Sequence, residues 1–203
     1  MYAVVENNNI TQFINYPKSI VIADVRYPAK IFTMWSQAEK EAIGIYEVIT
    51  DSTNYKDQAY YNNTNEQYAF ANGQVTKSWG TATAKRLEDE NAVDEDGNNI
   101  LENGVQVINY GLKTEKKRIV KQQASGLLAP TDWYVVKATE VADYDVPANI
   151  LSFRADVRTK SNEMETMINN CTTVDELKAL YEYTEQQDGT ITRPLPEFPK
   201  EVI

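Results

Sequence analysis

Histidine is absent from this sequence of 203 residues, and cysteine occurs once, at Cys171. Without histidine the chain lacks the side chain most used as a general base near neutral pH, and Ser-His-Asp and Cys-His arrangements are excluded. A single thiol can neither close an internal disulfide nor build a zinc site. We therefore predict a non-catalytic protein with no metal centre and no cofactor.

Other features are scarce as well. Only eight glycines occur, and no glycine-rich phosphate loop follows a predicted strand. No apolar run approaches the roughly 20 residues needed to cross a bilayer, so we predict no membrane insertion. Acidic residues outnumber basic ones by 30 to 20, and the formal charge of −10 repels phosphate backbones. We predict no nucleic-acid partner.

The one candidate for an all-oxygen metal site is the acidic stretch Asp94–Gly97. If Gly97 takes the sixth position of a calcium loop, Asp94 and Asp96 fall on the third and fifth positions. The first and twelfth positions are then Ala92 and Asn103, which are not carboxylates. We interpret the stretch as a solvated acidic turn.

Residues 1–110 are predicted to form a small, mostly antiparallel β-rich domain. Short apolar runs flank Asn7-Asn8-Asn9, which predicts a hairpin or a strand with a turn. Asn72-Gly73 suits a type I′ turn and would set Phe70 opposite Val75. A capping box of Ser36 and Glu39 predicts one short helix, and Gly44 is placed to end it.

The stretch 88–109 is predicted to be an acidic hairpin insertion in this domain. Turn signals surround Ile100-Leu101, which fits either a meander of short strands or a mobile linker. Residues 1–110 hold 15 acidic and 8 basic side chains, whereas residues 111–203 hold 15 and 12. This change in charge near Tyr110 indicates a domain boundary there.

From Lys113 the apolar spacing changes to the helical period. We predict a helical hairpin that forms a docking module over residues 111–186, with the first helix ended by Pro130. Asp145 is expected as the N-cap of the longest helix, with Pro147 in its first turn. An extended, proline-rich tail is predicted for residues 187–203. A β-rich domain followed by a helical hairpin places the chain in the α+β fold class. The apolar positions of the two hairpin helices are Val120, Ala124, Leu127 and Leu128, followed by Ile150, Phe153, Val157, Met164 and Ile168.

The first of these helices also carries a basic run that begins at Lys113. The run would suit a nucleic-acid stripe, but no aromatic residues interleave it for base stacking. A solvated helix face, or pairing with the acidic stretch Glu88 to Glu102, is the preferred interpretation. Its members are Lys113, Lys116, Lys117, Arg118 and Lys121.

Trp133 and Tyr134 are the sharpest candidates for a contact with a partner. They are predicted to lie in a loop after the first helix, and interfaces are enriched in such amphipathic side chains. We interpret Trp133 as core between the two long helices and Tyr134 as the better contact, with Trp133 as a contact as the alternative. The full set of predicted interface residues is Tyr134, Leu127, Leu128, Trp133, Trp79 and Tyr181.

One segment resembles a known family. Leu127-Leu128-Ala129-Pro130-Thr131-Asp132-Trp133-Tyr134, Val146-Pro147 and Phe153-Arg154-Ala155-Asp156-Val157-Arg158 are similar to the "LL-x-x-(T/S)-D-W … YR-x-x-(L/V)-R" pattern of tailed-bacteriophage tail proteins, in the tail assembly chaperone and tail-fibre-associated families. The resemblance implies a structural role in the virion tail or fibre, with other tail or fibre proteins as partners and no catalytic residues. It leaves self-association open.

Three functions follow as hypotheses. The first is a virion structural protein of the phage tail region, and the second is a fibre assembly chaperone that does not stay in the particle. The third is a glycan-active tail enzyme that uses an Asp/Glu pair. Thirty acidic residues always supply such pairs, so this argument has no specificity.

Overall fold

The chain is a mixed α/β protein, as its sequence predicts in broad terms. The structure, a computed structural model, describes residues 1–200. It divides into a first unit, Met1–Ala84, and a second unit, Lys85–Ile203. The boundary differs from the expected position near Tyr110, because the backbone carbonyls of Arg86 and Leu87 accept hydrogen bonds from Leu112 and Lys113, at the start of the helices that follow.

The first unit is built on a curled sheet of five strands, in the order β2-β1-β5-β8-β7. All neighbours are antiparallel except β5 and β8, which are parallel. One small hairpin of β3 and β4, a short antiparallel pair of β6 and β9, and two short helices complete the unit. The elements are β1 (Tyr2–Glu6), β2 (Asn9–Ile14), β3 (Ile20–Ile22), β4 (Val25–Tyr27), α1 (Ile31–Met34), α2 (Gln37–Glu41), β5 (Ile45–Thr50), β6 (Tyr61–Asn62), β7 (Gln67–Ala71), β8 (Gln74–Ser78) and β9 (Thr83–Ala84).

The curl brings the two edge strands close together. The rings of Phe13 on β2 and Tyr68 on β7 lie 4.5 Å apart between centroids. Alternation along the strands places these rings on the same face as Ala3 and Val75, which are fully buried. That face is therefore the concave one. The opposite face carries a second apolar cluster of Val4, Ile14, Ile20, Ile22, Ile31, Phe32 and Ile45.

Local sequence rules account for the turns of this unit. Asn72 and Gly73 have φ of 52° and 74°, and Phe70 pairs with Val75 as predicted. Ser36 and Glu39 form the predicted capping box at α2, and Gly44 takes a φ of 82° after it. The prediction of one short helix was incomplete, since α1 precedes α2.

The second unit begins with a meander of short strands and continues with helices. The predicted hairpin insertion over residues 88–109 is such a meander, and Asp94 accepts backbone hydrogen bonds in its acidic turn. The bond from the Asn98 amide lowers the pKa of Asp94. The elements are β10 (Glu90–Asn91), β11 (Leu101–Glu102), β12 (Val105–Gln106), β13 (Ile108–Asn109), α3 (Leu112–Leu128), a 3₁₀ turn (Ala129–Thr131), α4 (Asp132–Glu140), α5 (Ala148–Asn170), α6 (Val174–Ala179), β14 (Thr184–Glu185) and β15 (Ile191–Thr192).

Helices α3 and α5 form the predicted hairpin. Lys117 bonds to Asn169 and Lys121 to Glu165, while the carbonyl of Leu128 accepts from Arg154. Contacts that run in opposite order along the two helices show that the helices are antiparallel. The predicted apolar stripe of α5 is buried, with Arg154 and Ser161 in addition. Asp145 is not the cap of α5, since Pro147 occupies that position.

The segment after α6 returns to the helices. Leu195 is buried, and its amide donates to the carbonyl of Leu180 at 2.9 Å. Phe198 packs against Ala124, Phe153 and Val157. Residues 201–203 of the predicted tail lie outside the described residues. No helix within residues 1–200 is both long and apolar enough to cross a membrane.

Gly44, in the turn after α2, is a position where glycine is required, and this requirement can be tested. A Cβ at this position would lie 2.6 Å from the carbonyl oxygen of Val5, whereas a Cβ at Gly73 would meet nothing within 4 Å. Both residues have positive φ. We expect Gly73→Ala to lower the free energy of unfolding by about 1 kcal/mol through backbone strain alone. Gly44→Ala adds the clash and should cost about 3 kcal/mol in total. Urea unfolding followed by circular dichroism measures both, and equal losses would contradict the clash.

The capping box of α6 predicts a dependence on pH. Hydrogen bonds from the Thr172 backbone amide and hydroxyl lower the pKa of Glu176 below its ordinary value of 4.5. A depressed pKa in the folded state stabilises the fold above the unfolded pKa, and the stabilisation is lost as pH falls through the folded pKa. We expect α6 to fray below about pH 4.5.

The comparison of two variants checks this effect. Glu176→Gln should lose stability at pH 7 and show a smaller further loss on acidification than the unaltered chain. Glu185→Gln removes an exposed carboxylate outside the cap and should keep the full acid-induced loss. Amide hydrogen exchange in α6 between pH 3 and 7 is the measurement, and equal behaviour of the two variants would refute the effect.

Candidate docking site

A buried arginine holds the corner between α3 and α5. Arg154 projects from the buried face of α5, and its Nη1 donates to the Leu128 carbonyl at 3.1 Å and to the Thr131 hydroxyl. The same nitrogen lies 2.7 Å from Asp132 Oδ1. Thr131 is fully buried, and its hydroxyl donates to the Leu128 carbonyl at 2.7 Å. We call Leu128, Thr131, Asp132 and Arg154 the corner cluster.

The corner cluster explains the local course of the chain. Pro130 has no amide proton to continue α3, so the chain tightens into the 3₁₀ turn Ala129–Thr131. The Leu128 carbonyl then lacks its helical partner, and Thr131 and Arg154 supply the donors. Asp132 lies in the first turn of α4, where a carboxylate also interacts favourably with the helix dipole.

Helix α4 starts directly at this corner and is unusual in its exposure. None of its nine residues is buried, although they include Trp133, Tyr134, Val135 and Val136. The exposed fraction of the side chain is 52% for both Trp133 and Val136. An amphipathic helix of a monomer normally buries one apolar face, so this helix presents a surface that a partner could cover.

The aromatic side chains on α4 are held in place by one another. The rings of Trp133 and Tyr134 stack with centroids 3.9 Å apart, and Lys137 Nζ lies 5.7 Å from the Trp133 centroid and 4.2 Å from that of Tyr144. Such contacts contribute about 0.5–1 kcal/mol each at exposed sites. We call Trp133, Tyr134, Val136, Lys137 and Tyr144 the α4 surface.

The interpretation of Trp133 as core is wrong, and so is its placement in a loop. Arg154 occupies the gap between α3 and α5 that Trp133 was expected to fill, and the tryptophan points outward from a helix. The alternative, Trp133 as a contact residue beside Tyr134, agrees with its exposure.

The other predicted interface residues lie elsewhere. Leu127 and Leu128 are half-buried against Ala124, Phe153 and Val157, so they contribute mainly to the interior. Trp79 belongs to the first unit, where its ring packs on Tyr55 at 4.7 Å. Tyr181 follows α6 and is half-buried beside Lys116.

Two groups of residues at this site were not predicted from the sequence. Arg154 interrupts the apolar stripe of α5 between Phe153 and Val157, and a charge in such a stripe is a signal that a partner lies opposite. Val136, Lys137 and Tyr144 gave no such signal, because their grouping depends on the helical conformation of residues 132–140 and on the turn that follows at Val141–Tyr144.

The basic run on α3 is largely paired within the second unit. Lys113 is buried and forms an ion pair with Glu88, which confirms the predicted pairing with the acidic stretch. Arg118 pairs with Glu115, and Lys121 with Glu165. Within residues 1–200, no group of three or more Cys, Asp or Glu side chains is arranged to hold a metal ion.

Comparison of the chain with models of protein families, with curated proteins and with solved structures finds no match.

The corner cluster yields a prediction on stability. Arg154→Met keeps the apolar stem but removes hydrogen bonds to the Leu128 carbonyl, Thr131 and Asp132, so we expect a loss of about 2 kcal/mol. Asp132→Asn should cost about 1 kcal/mol, because more than half of the Asp132 side chain is exposed and water screens the pair. Arg158→Met, one turn along α5 and exposed, should change stability by less than about 0.5 kcal/mol. Urea unfolding measures all three, and an Arg154→Met variant as stable as the Arg158→Met control would refute the role of Arg154.

Proposed function

We propose that this chain is a non-catalytic structural protein of the bacteriophage tail region, retained in the virion, that docks against another tail or fibre protein through the α4 surface. The observation that carries the proposal is helix α4, which follows the corner cluster without burying any residue. Docking would cover Trp133 and Val136, which now face solvent.

The resemblance to tail proteins supports the proposal through the positions of its residues. The residues that carry the resemblance include Leu128, Thr131 and Asp132 on one side and Arg154 on the other, and these four form the corner cluster. Trp133 follows Asp132 directly and opens the exposed surface. The residues of the resemblance thus combine a rigid support, the corner cluster, with an exposed aromatic side chain, Trp133. An aromatic side chain held in position by such a support is well suited to bind a partner.

In this proposal the segments of the chain have separate roles. Residues 1–84 supply a β-rich unit, and residues 111–186 supply the helical docking module. The partner is another tail or fibre protein, and self-association through the same surface is the competing arrangement.

The test is the composition of purified particles of the phage that encodes this chain, combined with a variant of the α4 surface. We expect the unaltered chain in intact particles, cross-linked through Lys137 to a tail or fibre protein. The double variant Trp133→Ser, Val136→Ser should be incorporated at least about tenfold less, since truncation of a central aromatic residue commonly costs about 2 kcal/mol or more. Its circular dichroism spectrum should be unchanged, because neither residue is buried.

A matched control separates docking from general loss of exposed apolar surface. The double variant Tyr16→Ser, Val105→Ser removes side chains that are 67% and 68% exposed and lie outside α4, and it should be incorporated normally. A chain that raises the yield of soluble fibre on co-expression but is absent from particles is an assembly chaperone, which overturns the proposal of retention. Equal incorporation of both double variants would refute docking through α4.

A further inference from the structure

A groove lies on the face of the α3–α5 hairpin where the corner cluster reaches the surface. Its volume is about 450 Å³, and three basic residues but only one acidic residue line it. This local excess of positive charge contrasts with a chain whose net charge is −10. The lining residues are Lys121, Ala124, Ser125, Leu128, Asp132, Arg154, Arg158, Ser161 and Asn162.

The ion pairs of the groove leave one cation without a carboxylate. Lys121 Nζ lies 3.3 Å from Glu165, and Arg154 Nη1 lies 2.7 Å from Asp132. Arg158 forms no ion pair with any residue of the described range 1–200, and its side chain is exposed. A larger groove of about 540 Å³ nearby on the same helices differs in its charge balance, because two glutamates line it and pair with Arg118 and Lys121. Its third cation, Lys117, donates to the side-chain oxygen of Asn169 at 2.8 Å.

Arg158 is also held in position. Its Nη1 donates to the backbone carbonyl of Arg154 at 3.2 Å, and Arg154 is itself fixed by the corner cluster. This bond uses one of the five guanidinium donors, so enough donors remain for a bidentate pair with a carboxylate. A side chain that is already oriented loses less conformational entropy when a ligand binds.

The rest of the groove suits a peptide side chain. Ala124 is buried and Leu128 half-buried, so they offer an apolar contact for the methylene groups of a glutamate. Ser125, Ser161 and Asn162 place hydroxyl and amide groups around it. We propose that this groove, the Arg158 groove, binds a single glutamate or aspartate side chain of a partner protein.

Charge favours a peptide over a polyphosphate or a nucleic acid. The field of a chain with net charge −10 repels a polyanion at long range, whereas one carboxylate meets the local excess charge at Arg158. This proposal concerns ligand chemistry and goes beyond the proposed tail function. It stands whether or not the chain is a virion protein.

The test is a titration of the full-length, ¹⁵N-labelled chain with the peptide acetyl-Gly-Glu-Leu-Glu-Gly-amide, followed by NMR. We expect saturable shifts at the amides of Ser125, Ser161 and Asn162, and none with the matched peptide that has Gln in place of Glu. Arg158→Gln should raise the Kd at least about tenfold, which corresponds to about 1.4 kcal/mol. Arg158→Lys should give an intermediate Kd, because it keeps the charge without the planar fork.

Lys160→Gln is the matched control, since it removes one positive charge from the same helix outside the groove and should leave the Kd unchanged. Equal binding by Arg158→Gln, or equal binding of the Gln peptide, would refute the proposal. Inorganic phosphate that shifts the same amides with a Kd as low as that of the Glu peptide would also overturn it, because the groove would then be a general anion site. Since Arg158 is exposed, both variants are expected to fold, and an unchanged melting temperature confirms it.

Discussion

The buried guanidinium of Arg154 is the interaction on which the second unit depends. A charge in the interior is tolerated only when its hydrogen bonds are satisfied and an opposite charge is near. Here one side chain from α5 serves the last carbonyl of α3, the hydroxyl of Thr131 and the carboxylate of Asp132. It thereby stabilises the turn that Pro130 starts between α3 and α4, and it aligns α5 with both helices. An apolar residue at position 154 could fill the same space but could not specify the turn.

This arrangement also explains why an aromatic residue can remain in solvent at the corner. With the interior satisfied by Arg154, Trp133 is not required as core, and α4 leaves the hairpin with its apolar side chains uncovered. The same arginine supports Arg158 through its backbone carbonyl. The proposed docking surface and the proposed carboxylate groove therefore share one rigid base, and both are built from side chains whose positions are set before any partner arrives.

Much of the fold could be predicted from short-range rules. The Asn72-Gly73 turn, the capping box at Ser36 and the apolar stripe of α5 are all found, because each depends on neighbouring residues alone. The candidate site could be predicted only in part. Tyr134 and Trp133 were identified, but Asp132, the first residue of their helix, pairs with Arg154, which lies 22 residues further along the chain. The periodicity of apolar residues reports local structure, so it does not reveal a contact between residues so far apart in the sequence.

The curl of the sheet in the first unit has a consequence for solubility. Strands β2 and β7 are edges, and an exposed edge invites a strand from another molecule to add to it. Because Phe13 and Tyr68 touch across the gap, an incoming strand would have to separate these aromatic rings before it could extend the sheet on the concave side. The contact between the two edge strands thus disfavours aggregation by addition of strands from other molecules.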